Sequence, residues 1–354
     1  MDADLERDPG AGRGAVEYER DAEAVERARA VTVLLELERS PEQRVELRAR
    51  KLLAGQEMAR SDHSESVVGG DEGPSSQPPG SVAALSWNLF HGRDHPPDPS
   101  LLTWRSRLTG RPTRGRTHEQ VNRVLLDEFC AVLAREPWDL ALLQEAPPRW
   151  LRPLCARTAA HGASALTSRN LGAALRGRLA EWNPDLIASN EGGSNQLLVR
   201  APARIGEVRR LTLARRPERR RMLFARVELA GGGRLAVANL HATAGRPDAA
   251  AREIVKAAEC AVGWAGDDPL VLGGDLNARQ RKVPQLYDEL RRRFGLEGPT
   301  APGALDHLLA RGLEPLEPAR ALEETRREVP GDAGLLIRLS DHAPVTARFS
   351  ATSA

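Results

Sequence analysis

The sequence predicts a mixed-sheet α/β (α+β) domain over about residues 81–350 of a 354-residue chain. Three observations carry this. Short apolar runs of strand length recur along the chain, and amphipathic helix patterns fall between some of them while tight glycine turns join others. The pattern begins abruptly after a Ser/Gly/Pro-rich stretch, 61–80, which reads as a linker.

In order, "VAALSWNLF" is a strand-length apolar run. "THEQVNRVLLDEFCAVLAREP" reads as one amphipathic helix, opened by a Thr117–Gln120 capping box and stopped by Pro137. "DLALLQEA" is a buried-type strand and "NQLLVR" a short one. "RMLFARVELAGGGRLAVANLHAT" is a hairpin around Gly231, Gly232 and Gly233. "PDAAAREIVKAAECAVGWA" and "VPQLYDELRRRFG" are helices, and between them "PLVLGGDLNA" is a strand running into a glycine-rich turn. "ALDHLLARG" and "HAPVTARFS" are the last strands, with an arginine-rich, helix-like stretch before the final Ser-Asp-His. No repeat of solenoid period is present.

Residues 1–60 form a separate extension. Glu, Arg, Ala and Leu dominate 15–60, and two helices are expected, about 15–39 and 41–59, the second started by Ser40, Pro41 and Gln43. The piece reads as a partner-binding helical hairpin, an attached tail, or an extension upstream of a start at Met58; its partner is unknown.

Composition narrows the class. No apolar run spans a bilayer and the N-terminus lacks an apolar signal core, so a cytoplasmic protein is expected. Cys130, Cys155 and Cys260 are scattered and odd in number, which argues against a disulfide framework or a cysteine zinc site. Lysine occurs only at Lys51, Lys256 and Lys282, so the rest of the 51 basic residues are arginine, a skew that fits coding bias; the net charge of +2 does not mark a nucleic-acid binder.

The functional signal is where the strands stop. They run into Asn88, Glu145, His241, Asp275 with Asn277, and Asp306, and Asp341–His342 precedes the last strand. Each alone reads as a turn, a cap or a surface residue. Together they are what a shared site at one sheet edge looks like. Hard oxygen ligands, Glu145 and Asp341 with amide help from Asn88, suit Mg²⁺ or Mn²⁺ rather than zinc. Asp275 can orient or deprotonate a water, and imidazoles can serve a phosphate's oxygens. This is the chemistry of a phosphoester hydrolase. Nucleophile-elbow, P-loop and Rossmann motifs are missing.

The ordered set "WNLF", "LLQE", "VANLH", "GGDLN", "LDHLL" and "SDHAPV" resembles the endonuclease/exonuclease/phosphatase family, the DNase I-like metal-dependent phosphodiesterases and phosphatases. The resemblance covers 81–350. It implies a four-layered α/β/β/α sandwich of two mixed sheets with the site at one end, and a phosphoester substrate cleaved with Mg²⁺. By resemblance, Glu145, Asn88 and Asp341 surround the metal. Asp275 activates the attacking water and Asn277 holds it, while His342 contacts the phosphate with Asp306 behind it. His241 lies on the phosphate's other side as hydrogen-bond donor or general acid, and Asn195 near the phosphate. A nuclease is the leading expectation: basic stretches at 107–116, 209–222 and 279–282 could track a nucleic-acid backbone. A sphingomyelinase or phospholipase C-like phosphodiesterase and a catalytically silent binding module of the same fold stand beside it.

Overall fold

The computed structural model describes residues 80–350, apart from 169–172, 188–191, 217 and 231. The expected helices within 1–60 and the linker up to residue 79 lie outside the described residues. In chain order the elements are β1 (Ser81–Asn88), α1 (Trp104–Thr109), β2 (Thr113–Arg114), β3 (Glu119–Gln120), α2 (Leu126–Arg135), β4 (Leu140–Ala146), α3 (Leu151–Arg157), β5 (Ala160–Thr167), α4 (Ala173–Trp182) and α5 (Pro184–Ile187). Then follow β6 (Gly193–Arg200), β7 (Arg204–Ala214), β8 (Arg220–Glu228), β9 (Arg234–His241), α6 (Pro247–Ala265), β10 (Leu270–Asp275) and α7 (Pro284–Phe294). The chain closes with β11 (Asp306–Arg311), β12 (Glu314–Ala321), β13 (Glu328–Pro330), β14 (Leu336–Arg338) and β15 (Val345–Ser350).

Two mixed sheets result, one in the order β12-β15-β1-β4-β6-β5 and the other β11-β10-β9-β8-β7. Alternation along each strand decides the layers. Val82 and Ala84 of β1, Leu140 and Leu142 of β4, Val237 of β9 and Val271 of β10 point inward and form the core between the sheets. Leu85 and Trp87 point outward against Phe129, Leu133 and Trp150 on the α2–α3 side, with the Trp87 and Phe129 ring centroids 5.0 Å apart. Ala236, Ala238 and Leu240 face α6 and α7 on the other side. The outcome is the expected α/β/β/α sandwich. Among the described residues no helix is long and apolar enough to cross a membrane.

The topology also gathers the polar residues. Each sheet holds one parallel pair, β1–β4 and β9–β10, and these four strands end at Asn88, at Glu145 one residue before the end of β4, at His241 and at Asp275. Antiparallel neighbours contribute their beginnings to the same edge: Asp306 opens β11 directly opposite Asp275, and β15 starts just after His342.

Three local expectations are corrected. The helix read from Thr117 begins only at Leu126, and Glu119–Gln120 is strand. Gln120 is buried, and its amide Nε2 donates to Asp185 (2.7 Å) and to the Val121 carbonyl (2.9 Å), so it is not free to reach back and close a capping box. The arginine-rich stretch before Ser-Asp-His is a 3₁₀ turn, Glu324–Arg327, followed by the β13–β14 hairpin. Arg327 is buried there and donates to the carbonyls of Leu339 and Ser340, which pins the loop that follows. Finally, Gly273 and Gly274 are strand residues of β10, not a turn.

Gly274 has φ of 132°, and a Cβ there would sit 1.9 Å from the Leu240 carbonyl oxygen of β9. Gly274→Ala is therefore expected to lower the unfolding free energy by roughly 3 kcal/mol or more. Gly263, inside α6 with open space around it, is the control: Gly263→Ala should raise stability by about 0.5–1 kcal/mol. Urea unfolding of both variants checks this, and equal midpoints would contradict the close β9–β10 contact.

Candidate active site

Alternation aims Asn88, His241, Asp275 and Asp306 into the gap between the sheets, on the same side as the apolar inner residues of their strands. Glu145 breaks the rule. Leu142 and Gln144 occupy inward positions of β4, so a regular strand would turn Glu145 towards the helices. A bulge between Leu143 and Ala146 inserts one extra residue opposite β6, and Glu145 takes φ of 48°. These re-aim its carboxylate into the site, as bulges beside active sites do. Asn277, Ser340, Phe90 and His91 also have positive φ, between 48° and 60°. So many non-glycine residues in this region around one edge is the concentration of backbone strain that functional sites hold.

The contacts centre on Asp275, which is buried. Asn88 Nδ2 donates to its Oδ2 at 3.0 Å, and the Asn277 backbone N–H to its Oδ1 at 3.1 Å. His241 Nε2 lies 3.4 Å and His342 Nε2 4.0 Å from Oδ2. Burial, with Asp306 nearby, pushes the Asp275 carboxyl up to about 7. His342 Nδ1 is 2.6 Å from Asp306 Oδ2. Burial works against the charge on that imidazole, yet the Asp306 carboxylate outweighs it and holds the pKa up to about 10. His342 is thus an imidazolium whose Nδ1–H donates to Asp306 and whose Nε2–H faces Asp275 and Asp341, the latter at 4.0 Å.

The loop carrying Asp341–His342 is held from three sides. Ser340 Oγ donates to the Asn88 carbonyl at 2.6 Å, the His342 N–H donates to Ser340 Oγ at 3.1 Å, and Trp87 Nε1 donates to the His342 carbonyl at 2.8 Å.

Two residues of the cluster were not foreseen from the sequence. His91 Nε2 is 3.2 Å from Glu145 Oε2; burial holds its pKa down to about 3, so a neutral ring lies beside the carboxylate. It follows Asn88 at a spacing that only the turn at Phe90–His91 makes meaningful. Arg220 donates from Nη1 to His241 Nδ1 at 3.1 Å, and it was hidden in the basic run 209–222. A guanidinium cannot accept, so His241 carries its proton on Nε2. Burial, then Arg220, hold the His241 pKa well below its ordinary value.

All eight stronger candidates, Asn88, Glu145, His241, Asp275, Asn277, Asp306, Asp341 and His342, therefore share one cluster. Asn195 is buried on β6, and its Nδ2 donates to the Arg221 carbonyl at 2.7 Å, which ties it to the start of β8 rather than to Asp275. The residues also fit a hard divalent cation. Burial first, and then the neighbouring Asp341 carboxylate, push Glu145 up to about 7, and a cation among these oxygens would relieve both. Asp275, Asp306 and His342 also lie close enough to form a possible acid–imidazole ligand group. The hydrogen bond from a protonated His342 to Asp306 makes that trio a proton-holding pair with an acid beside it, because an imidazolium does not ligate.

A four-layered sandwich with carboxylates and imidazoles at one end defines a DNase I-like fold. The chain belongs to the endonuclease/exonuclease/phosphatase family, whose pattern it matches over residues 85–342. Members of that family are usually phosphoester hydrolases, generally dependent on a divalent metal. Among solved structures, an endonuclease/exonuclease/phosphatase family protein of Bacteroides thetaiotaomicron is similar at 15% identity and a TM-score of 0.51, covering 76% of this chain and 97% of that one. The same bacterium's mannosyl-6-phosphatase is similar at 15% identity and a TM-score of 0.51, with 76% and 99% covered. The human Nocturnin catalytic domain with bound sulfate is similar at 16% identity and a TM-score of 0.50, with 76% and 93% covered. Likeness at these identities speaks for the fold. No curated protein matches the chain.

His307, next to Asp306, faces the opposite side of β11, near the Tyr287 ring of α7 (centroids 5.2 Å apart). Its Nδ1 accepts from the Thr300 N–H, and burial holds it down to about 4. The folded pKa lies below the unfolded value of 6.5, so its contribution to stability is present above pH 6.5 and is lost as pH falls towards 4. Between pH 7 and pH 5 the stability deficit of His307→Gln relative to wild type should shrink by about 2 kcal/mol, measured by urea unfolding at both values. A constant deficit would contradict a neutral His307.

Proposed function

We propose that the protein is a divalent-metal-dependent phosphodiesterase of the nuclease type, hydrolysing a phosphoester by in-line attack of water. The observation that carries this is the buried Asp275 carboxylate, ringed by the Asn88 amide, the His241 and His342 imidazoles and the Asn277 backbone N–H. Asp275 takes the proton of a water that attacks phosphorus. The bond from phosphorus to the leaving oxygen then breaks on the far side, and that oxygen takes a proton from solvent. Asn277 helps to hold the water. The imidazolium of His342 donates to the phosphate's oxygens and stabilises their growing charge, with Asp306 holding the ring and its positive charge. His241, capped by Arg220, serves as a neutral N–H donor rather than as a general acid.

Glu145 and Asp341 would hold Mg²⁺ or Mn²⁺. Asn88 would add the remaining lone pair of its Oδ1, which already accepts from the Phe90 N–H at 2.9 Å. When bound, the cation supplies charge to neutralise the phosphate. The nuclease reading draws on the arginines around the start of β8. Burial, and then Arg219, Arg210 and Arg215, lower the Arg221 pKa, so these guanidinium groups share one region. Among the described residues no carboxylate lies within ion-pair distance of Arg210, Arg215, Arg219 or Arg221. Arginines without carboxylate partners, next in sequence to Arg220 of the cluster, suit a polyanionic backbone.

Hydrolysis of bis(p-nitrophenyl) phosphate should require Mg²⁺ or Mn²⁺, vanish in EDTA and return when metal is added back. Asp275→Asn and His342→Ala should each lower kcat by about 10²–10⁴-fold. If both retain wild-type rates, the assignment is wrong. A panel of plasmid DNA, abasic oligonucleotide, RNA and sphingomyelin separates the nuclease from the phospholipase C-like reading, and silence on every member would leave a binding module of this fold.

A further inference from the structure

The chain between β1 and α2, with Asp185 of α5, walls a small cavity. Its volume is about 120 Å³, and Arg93, Asp94, Thr103, Arg107, Gln120 and Asp185 contribute to its wall. The segment that carries Arg93 and Asp94 pairs with the loop that leads to Asp341 and His342. The Arg93 carbonyl accepts the Ser340 N–H at 3.0 Å, and Asp94 forms a β-bridge with Leu339. The Arg93 guanidinium, on the cavity wall, is also within electrostatic reach of Glu145 and Asp341, the proposed metal ligands.

The wall mixes donors with acceptors. Arg93 lies 3.7 Å from Asp185 Oδ1, while Asp185 Oδ2 accepts from Gln120. Asp94 Oδ2 accepts the Val121 N–H at 2.9 Å, and burial pushes that carboxyl up to about 8, so it carries a proton near neutrality and can donate one. Among the described residues no carboxylate lies within ion-pair distance of Arg107, whose side chain is largely exposed. At the mouth, Leu102 is 41% exposed, and beyond Thr103 Trp104 is 68% exposed. A second phosphate fits this wall poorly, because two carboxyl groups face it. A purely apolar group would strand its hydrogen-bonding atoms. A ring with hydroxyls on its edge and C–H groups on its face meets both the polar wall and the apolar mouth. The volume equals that of about four waters, enough for the hydroxyl-bearing edge of one ring, with the rest of the ring at the open mouth.

We propose that this cavity is a substrate subsite that takes a hydroxylated sugar ring carrying the scissile phosphate. It rests on the phosphoester reading above. The ring comes either from a nucleotide's ribose or from a free sugar phosphate, and Arg93 and Arg107 donate to its hydroxyls while Asp185 accepts from them.

The test is calorimetric titration of the full chain with Mg²⁺, using phosphonates that cannot be hydrolysed: methylphosphonate, the phosphonate analogue of adenosine 5′-monophosphate, and that of mannose 6-phosphate. At least one ring ligand should bind about tenfold tighter than methylphosphonate, and the preferred one names the source of the ring. In Arg107→Ala, a change at an exposed side chain, and in Asp185→Asn, the gap should shrink to about threefold or less. The proposal fails if neither ring ligand binds tighter than methylphosphonate, or if the gap survives in both variants. Its failure is distinct from that of the reaction: a gap without metal-dependent hydrolysis sinks the phosphodiesterase and leaves the cavity, and hydrolysis without a gap sinks the cavity alone.

Discussion

The hydrogen bond from Asn88 Nδ2 to Asp275 Oδ2 joins the end of a strand in one sheet to the end of a strand in the other. Everything the site contains is arranged around this crossing. The two sheets must end level with each other for it to form, and their parallel pairs must run in the same sense towards the same edge. Behind it, the buried Asn239 repeats the link: its Nδ2 donates to the Leu143 and Gln196 carbonyls, and its Oδ1 accepts from Gln144. An apolar replacement at either position would leave buried partners unsatisfied. The interface between the sheets is therefore apolar through most of its depth and polar only where it opens.

Placing charge at that opening has a cost, and the groups lean on one another to bear it. Asp275 and Glu145 are both held near neutrality in pKa, by burial and by neighbouring carboxylates. His342 alone is held as a cation, through Asp306. His91 and His241 are kept neutral by burial, and His241, capped by Arg220, presents its Nε2–H towards Asp275. Of three imidazoles in one cluster, two are thus neutral and one is charged. The difference comes from what stands behind each ring, a carboxylate behind His342 and a guanidinium behind His241.

Much of this was legible in the sequence because buried strands are short apolar runs with definite ends. Each apolar run of strand length stops on a polar residue, which groups Asn88, Glu145, His241, Asp275 with Asn277, and Asp306 in the sequence, and in the fold alternation aims Asn88, His241, Asp275 and Asp306 inward. Helices with proline at the first turn and glycine after the last, such as α6 and α7, were equally plain. What failed was local chemistry under tertiary control. The capping box at Thr117 was a sound short-range signal, yet Gln120 had a buried partner in Asp185, far along the chain. The stretch before Ser-Asp-His had helix-forming residues, but Arg327 was needed to pin the loop behind Asp341.

The sequence by itself determined the fold class, the strand ends and the set of acids, amides and imidazoles that meet there, since alternation and apolar run length are properties of the chain alone. Only the tertiary structure decided how those groups behave. Glu145 faces the site because of a bulge and a positive φ, which no residue pattern announces. Arg220 and His91 matter because chain segments distant in sequence meet at short range, and Arg93 because folding puts it on the wall of a cavity. Protonation states, too, are set by burial and by neighbours across the gap, and burial exists only once the two sheets have closed.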